Sequence, residues 1–132
     1  DHKKSEVQVK NQRMNWLPYS DARRNEALNQ KKPVIIDFTA DWCAACKELE
    51  RYTFSDPRVQ REGQNFTLLT VDATLETEET NRLLKYFQVL GLPTLLFYSP
   101  SGELRKDLTL TGFESAQKFL KRMQEAKQVT ND

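Results

Sequence analysis

Cys43 and Cys46, the two cysteines of the chain, are separated by two residues in Asp41-Trp42-Cys43-Ala44-Ala45-Cys46-Lys47. The apolar run Val34-Ile35-Ile36-Asp37-Phe38 before them reads as a buried strand, and Cys43 to Tyr52 reads as a helix. Positions i and i+3 of a helix share a face one turn apart. Two sulfurs so placed can close a disulfide with little backbone movement. Cys43 falls where the first N–H groups of the helix lack partners inside it, which favours thiolate. Thiolate is the attacking species in thiol–disulfide exchange. Cys46, deeper in the helix, is placed to attack a mixed disulfide formed at Cys43.

Two plainer readings compete. A zinc half-site would need a second pair of ligands, and the chain offers no further cysteine and one histidine, His2, in a polar tail. An inert structural disulfide is the other. A loop this short gains little chain entropy from closure, so it would be a weak staple.

A length of 132 residues suits one domain with one core. Hydrophobic residues at 38% and charged ones at 30% are ordinary for a globular protein. Twenty basic against nineteen acidic residues leave a net charge of +1, which provides no field for nucleic acid or anionic lipid. The most hydrophobic stretch, Val89 to Tyr98, is short and broken by Gly91 and Pro93, so no membrane insertion of this chain is expected. The chain starts at Asp1 without a leader pattern, and a processed product or an excised fragment is expected. Two cysteines fix no compartment, because a redox pair works inside or outside the cytosol.

Residues 1–13 are polar and without apolar period, which predicts a flexible tail or linker. Residues 14–126 are expected to form the folded domain, with 127–132 fraying. Met14 to Tyr19 predicts a short edge strand. Ser20 or Asp21 caps a helix to about Asn29, with Ala22, Ala27 and Leu28 toward the inside. Val34 to Thr39 is the central strand. Leu49 and Tyr52 are expected to face the core from the helix that follows. Ser55 or Asp56 as N-cap, with Pro57 at the first helical position, restarts a helix that stops at Gly63. Phe66 to Asp72 is a second central strand. Thr74 or Thr77 opens a helix with Leu83, Leu84 and Phe87 as its buried stripe. Thr94 to Tyr98 is a strand, Pro100-Ser101-Gly102 a turn, and Glu103 to Thr111 its antiparallel return. Ser115 caps a last helix to about Ala126, with Ala116, Phe119, Leu120 and Met123 inward. The fold class is therefore α/β, a mixed sheet with helices on both faces.

Strand, Trp-Cys-x-x-Cys, helix, then Leu92-Pro93-Thr94 before a hairpin resembles the thioredoxin fold. Within it, Ala40 to Lys47, then Tyr52-Thr53-Phe54-Ser55-Asp56-Pro57, then Gly91 to Thr94 closely resemble the C-terminal periplasmic domain of the DsbD family. These are bacterial thiol:disulfide interchange proteins of the inner membrane. The likeness covers about residues 14–125, and the Thr-Phe-Ser-Asp-Pro segment is its most specific part. It implies a protein-disulfide reductase that relays electrons from a membrane-embedded domain to an N-terminal periplasmic domain of the same protein. The implied molecule is a monomer on the periplasmic side, with the Cys43–Cys46 disulfide as its redox group and no separate cofactor or metal. A free-standing periplasmic thioredoxin-like reductase, or a redox-inert interaction module of the same fold, are the other readings.

The resemblance makes Leu92-Pro93 a cis bond that presents the Leu92 backbone to a partner near Cys43; an ordinary trans-proline opening a strand is the alternative. Asp37, alone in an apolar strand, is either buried or on a wet face, and the neighbouring β-branched residues argue for burial. If buried, its pKa rises and it can accept a proton from Cys46. The family carries a functional Asp at the matching position. Glu50 follows Cys46 by four residues on the same helix face, where a solvated charge is the plain reading; by resemblance it lies close to the site. Asp37 and Glu50 together would hold the Cys43 thiol at or above the range usual for thioredoxins, which makes a reducing couple. Trp42 would flank the sulfurs or pack in the core, and Phe113, after Gly112, would lie on the same rim.

Overall fold

A computed structural model describes residues 13–128. His2 and nearly all of the expected tail lie outside the described residues, as do positions 129–132. Val34–Thr39 (β2) is buried along almost its whole length, which is what its β-branched and aromatic residues suit. It pairs in parallel with Thr67–Asp72 (β3) and antiparallel with Thr94–Tyr98 (β4). Leu17–Pro18 (β1) adds in parallel beyond β3, and Leu110–Thr111 (β5) antiparallel beyond β4, for a strand order β1-β3-β2-β4-β5.

Alternation along β2 divides the core in two. Ile35 faces a cluster with Leu49, Phe54, Leu95, Phe97, Phe119 and Met123. Val34, Ile36 and Phe38 face the opposite cluster, with Ala27, Leu69, Val71 and Leu83. The first face is covered by Leu49–Thr53, the turn that follows Ala44–Glu48 (α2), by Pro57–Gly63 (α3) and by Ala116–Lys127 (α5). The second is covered by Asp21–Asn29 (α1) and Glu78–Tyr86 (α4). This is the thioredoxin-like arrangement that the motifs imply, with Asp37 on the Ile35 side, toward α2.

Capping sets most of the helix starts. Ser20, Asp56, Thr77 and Ser115 each accept a backbone N–H from the first turn, and Thr77 forms a reciprocal pair with Thr80. Ala22 is exposed, contrary to expectation. Five residues from Ala27, it falls on the far side of a 3.6-residue turn.

The active-site helix departs from the expected regular form. Leu49–Thr53 is a π-helical turn, closed by the Phe54 N–H donating to the Leu49 carbonyl at 2.8 Å. The wider turn carries Thr53 onto the inner face below Leu49 and swings Tyr52 out to solvent, so Tyr52 is not a core residue. The Thr53 hydroxyl donates to the Glu114 carbonyl at 2.5 Å, which anchors the turn to the chain just before α5. The return from β4 is also not one strand. Leu104 makes a single bridge to Tyr98, then Lys106–Leu108 forms a 3-10 turn before β5. Arg105 grips the Asp107 carboxylate and the Glu125 carbonyl, which pulls this segment toward α5 and out of the ladder, while Leu108 fills the core.

Candidate active site

β2 ends at Thr39 and the chain turns through Ala40-Asp41-Trp42 into α2. The Cys43 N–H donates to the Ala40 carbonyl at 3.2 Å and closes the turn. Cys43 is extended (φ −93°, ψ 108°) and is the N-cap of α2, with the Cys46 N–H donating to its sulfur at 3.2 Å. Helix-terminal N–H groups aimed at sulfur stabilise negative charge there. The two cysteines are joined as a disulfide, with Cα atoms 5.2 Å apart. Cys43 keeps 7% of its surface in solvent and Cys46 3%, so the outer sulfur is the one a partner meets.

Leu92 packs against Ala40, Cys43 and Cys46. The Leu92–Pro93 bond is cis, and Pro93 is buried beside it. Thr94 opens β4 next to it, and its hydroxyl donates to the Gly91 carbonyl at 2.7 Å. The segment is thus fixed at both ends, by apolar contact with the cysteines and by this hydrogen bond.

Asp37 lies on β2 one strand-turn before the cysteines, paired in register with Thr70 and Leu95. It is buried, and one of its carboxyl oxygens, Oδ1, has no hydrogen-bond partner. Burial pushes the Asp37 pKa up to about 7, with a further upward push from the Glu50 carboxylate. Glu50 itself is exposed and lies 3.7 Å from the Lys47 ammonium, which also reaches Asp41 at 3.6 Å. Both acids therefore share one neighbourhood. Lys47 is the cation paired with Glu50 and Asp41.

Trp42 is 68% exposed, which removes the core-packing alternative. Its indole N–H donates to the Thr74 carbonyl at 3.1 Å, and the Asp41 N–H donates to the Thr74 hydroxyl at 2.9 Å. Thr74 thus clamps the active-site loop to the loop after β3. Sequence reasoning treated Thr74 only as a possible helix start; the signal was Asp72-x-Thr74, whose carboxylate and N–H close a local turn at 3.0 Å. Phe113 is half exposed and meets Tyr52 edge-on at 6.4 Å between ring centres. The apolar cluster around the cysteines is made of Ala40, Ala45 and Leu92, without Phe113. Among the described residues no group of three or more His, Cys, Asp or Glu side chains could hold a metal ion.

A redox-capable disulfide capping a helix, with the residue before a cis-proline packed against it, is the arrangement of the thioredoxin-like class. A family model described as thioredoxin-like matches residues 15–100, and the chain belongs to that family. Within it, the chain is 46% identical over 113 residues to the thiol:disulfide interchange protein DsbD of Pectobacterium atrosepticum. That match covers 84% of this chain and 20% of the relative, so the chain spans about a fifth of the length of the DsbD proteins it resembles. Among solved structures it is similar to the oxidised C-terminal domain of Neisseria meningitidis DsbD, at 29% identity and TM-score 0.71, covering 84% of this chain and all of that one. The reduced form of the same domain matches at 31% identity and TM-score 0.70, over 80% of this chain and 92% of that one.

Proposed function

We propose that this chain is a protein-disulfide reductase domain that passes two electrons at a time between protein thiol pairs. In the reduced form the Cys43 thiolate attacks one sulfur of a partner disulfide. The partner S–S bond breaks, a Cys43–partner disulfide forms, and the other partner sulfur leaves as a thiolate that takes up a proton from water. The Cys46 thiol then gives its proton to Asp37 and attacks the Cys43 sulfur. The second partner sulfur leaves, and Cys43–Cys46 is closed as found here. The partner has gained two electrons and this chain has lost them. Trp42, Leu92 and Pro93 hold the partner segment against Cys43, with Phe113 at the margin, and Asp37 and Glu50 tune the thiols.

The observation that carries this reading is the Cys43 sulfur at the helix N-cap, receiving the Cys46 N–H. Likeness to DsbD over a fifth of that protein's length supports a place inside a longer relay. In that reading, electrons arrive from a membrane-embedded domain and leave to an N-terminal periplasmic domain, and residues 14–126 are the domain that 1–13 tethers. The test is trapping. Cys46→Ala cannot resolve the mixed disulfide, so in a periplasmic extract it should retain its partner on a non-reducing gel. Cys43→Ala should retain none. Capture of the N-terminal domain of a DsbD-like protein supports the relay; capture of unrelated proteins alone makes it a free-standing reductase. Equal trapping by both variants would end the assignment.

A further inference from the structure

Beside the disulfide the surface carries apolar side chains that the core does not use. Leu75 is 73% exposed and Leu90 wholly so, and with Trp42 they stand around a cleft of about 330 Å³. Leu84, Val89 and Leu92 complete its apolar lining. Large aliphatic side chains left in water next to one another mark a surface that meets another molecule. The cleft is continuous with the redox site, because Trp42 and Leu92 belong to both. It is also held in shape: Thr74 ties the Trp42 loop to the loop that carries Leu75, through the Asp41 N–H and the Trp42 indole.

Charge indicates what that molecule is. From Asp72 to Asn81 the chain has four carboxylates, Asp72, Glu76, Glu78 and Glu79, and no Lys or Arg. Glu79 is taken by Arg82 at 2.8 Å. Glu76 lines the cleft and Glu78 follows it, both exposed and without a cationic partner among the described residues. The rim at Glu76 is therefore negative and the floor apolar, while the exposed Lys85 stands beyond Leu84 and Leu90 on the opposite side.

We propose that this cleft is a specificity subsite for protein partners whose redox cysteine is followed by a large aliphatic residue and then by Lys or Arg. The aliphatic side chain enters between Trp42, Leu75 and Leu90, and the cation meets Glu76 and Glu78. The inference rests on the exchange reaction proposed above and adds which partners it selects.

The test uses two short peptides, each closed by an internal disulfide. One has Leu-Arg-Arg after a cysteine and the other Ser-Glu-Glu. Oxidation of the reduced chain by each is followed by stopped-flow tryptophan fluorescence, with hydroxyethyl disulfide as a small neutral oxidant. The Leu-Arg-Arg peptide should react about tenfold faster than the other. Leu75→Ser with Leu90→Ser should abolish most of that preference and leave the rate with hydroxyethyl disulfide within about twofold. Glu76→Lys with Glu78→Lys should weaken the preference, and added salt should do the same in the unaltered chain. Equal rates for the two peptides, or a preference that survives the leucine changes, would overturn the subsite and leave the exchange reaction standing. Failure of the chain to reduce hydroxyethyl disulfide and both peptides would overturn the exchange reaction and the subsite with it.

Discussion

The Asp37 carboxyl, buried on the central strand, is pushed toward its neutral form by the Glu50 carboxylate on the active-site helix. The two acids come from different elements and lie close enough for one to act on the other. Burial supplies the larger part of the effect on Asp37 and the charge of Glu50 the smaller.

The first consequence is a pH-dependent stability. The folded pKa of Asp37 is about 7, above its ordinary value of 3.8. Between those values the folded chain holds a proton that the unfolded chain has lost. Its contribution is fully present below pH 3.8 and is lost as pH rises through about 7. At about 1.4 kcal/mol per pKa unit the change is on the order of 4 kcal/mol. Urea unfolding of the oxidised chain should show stability falling from pH 4 to 8 by an amount of this order, and Asp37→Asn should remove most of the slope. An equal slope in Asp37→Asn would show that the carboxyl is not the group responsible.

The same two acids bear on the nucleophile. In the proposed exchange reaction the Glu50 carboxylate opposes thiolate formation at Cys43, against the pull of the helix N-cap. Iodoacetamide alkylation of Cys43 in the reduced chain should rise in the neutral-to-alkaline range and not in the acid range. Glu50→Gln should move the midpoint of that rise down. A midpoint near pH 4 in the unaltered chain would make this an oxidising couple and contradict the reductase role.

Phe119 is fully buried between Phe54 and Phe97, with ring centres 5.5 and 5.9 Å away. Removing its ring leaves a cavity where α5 meets the sheet. Phe119→Ala should cost roughly 3–5 kcal/mol in denaturant unfolding. A loss below about 1 kcal/mol would mean that the cluster collapses around the gap.

Thr74 offers a milder test. Its hydroxyl accepts the Asp41 N–H at 2.9 Å. Thr74→Val removes that acceptor at a half-exposed position, so the expected loss is up to about 1 kcal/mol. In a Trp16→Phe background the fluorescence anisotropy of Trp42 should also fall as its loop loosens. Unchanged anisotropy would show that the indole bond to the Thr74 carbonyl suffices alone.

Much of this was legible in the chain because the signals are local. An apolar run followed by a cysteine pair spaced for one helical turn gives β2, the turn and α2. Ser55 or Asp56 before Pro57, and Thr74 or Thr77, bracket two helix starts, because capping depends on a few neighbouring atoms; the structure uses Asp56 and Thr77. Asp37 could be judged buried from the β-branched residues on either side. What was not legible depends on distant partners. The π-helical turn that turns Tyr52 outward is pinned by Thr53 to Glu114, 61 residues away. The break in the return from β4 is set by Arg105 reaching α5. Nothing in the order of residues announces that Leu75 and Leu90 come to the same cleft as Trp42.

The sheet ends on either side in a strand of two residues, and the β1 end carries Pro18. A neighbouring molecule that sought to extend the ladder would find almost no open row of amides and carbonyls to zip onto. Contact with other proteins is thereby steered to the loops at the sulfur end, where side chains rather than main chain decide who is admitted. A protein obliged to keep leucines in water gains from having both flanks closed to stacking, since stickiness at one end need not become polymerisation along the sides.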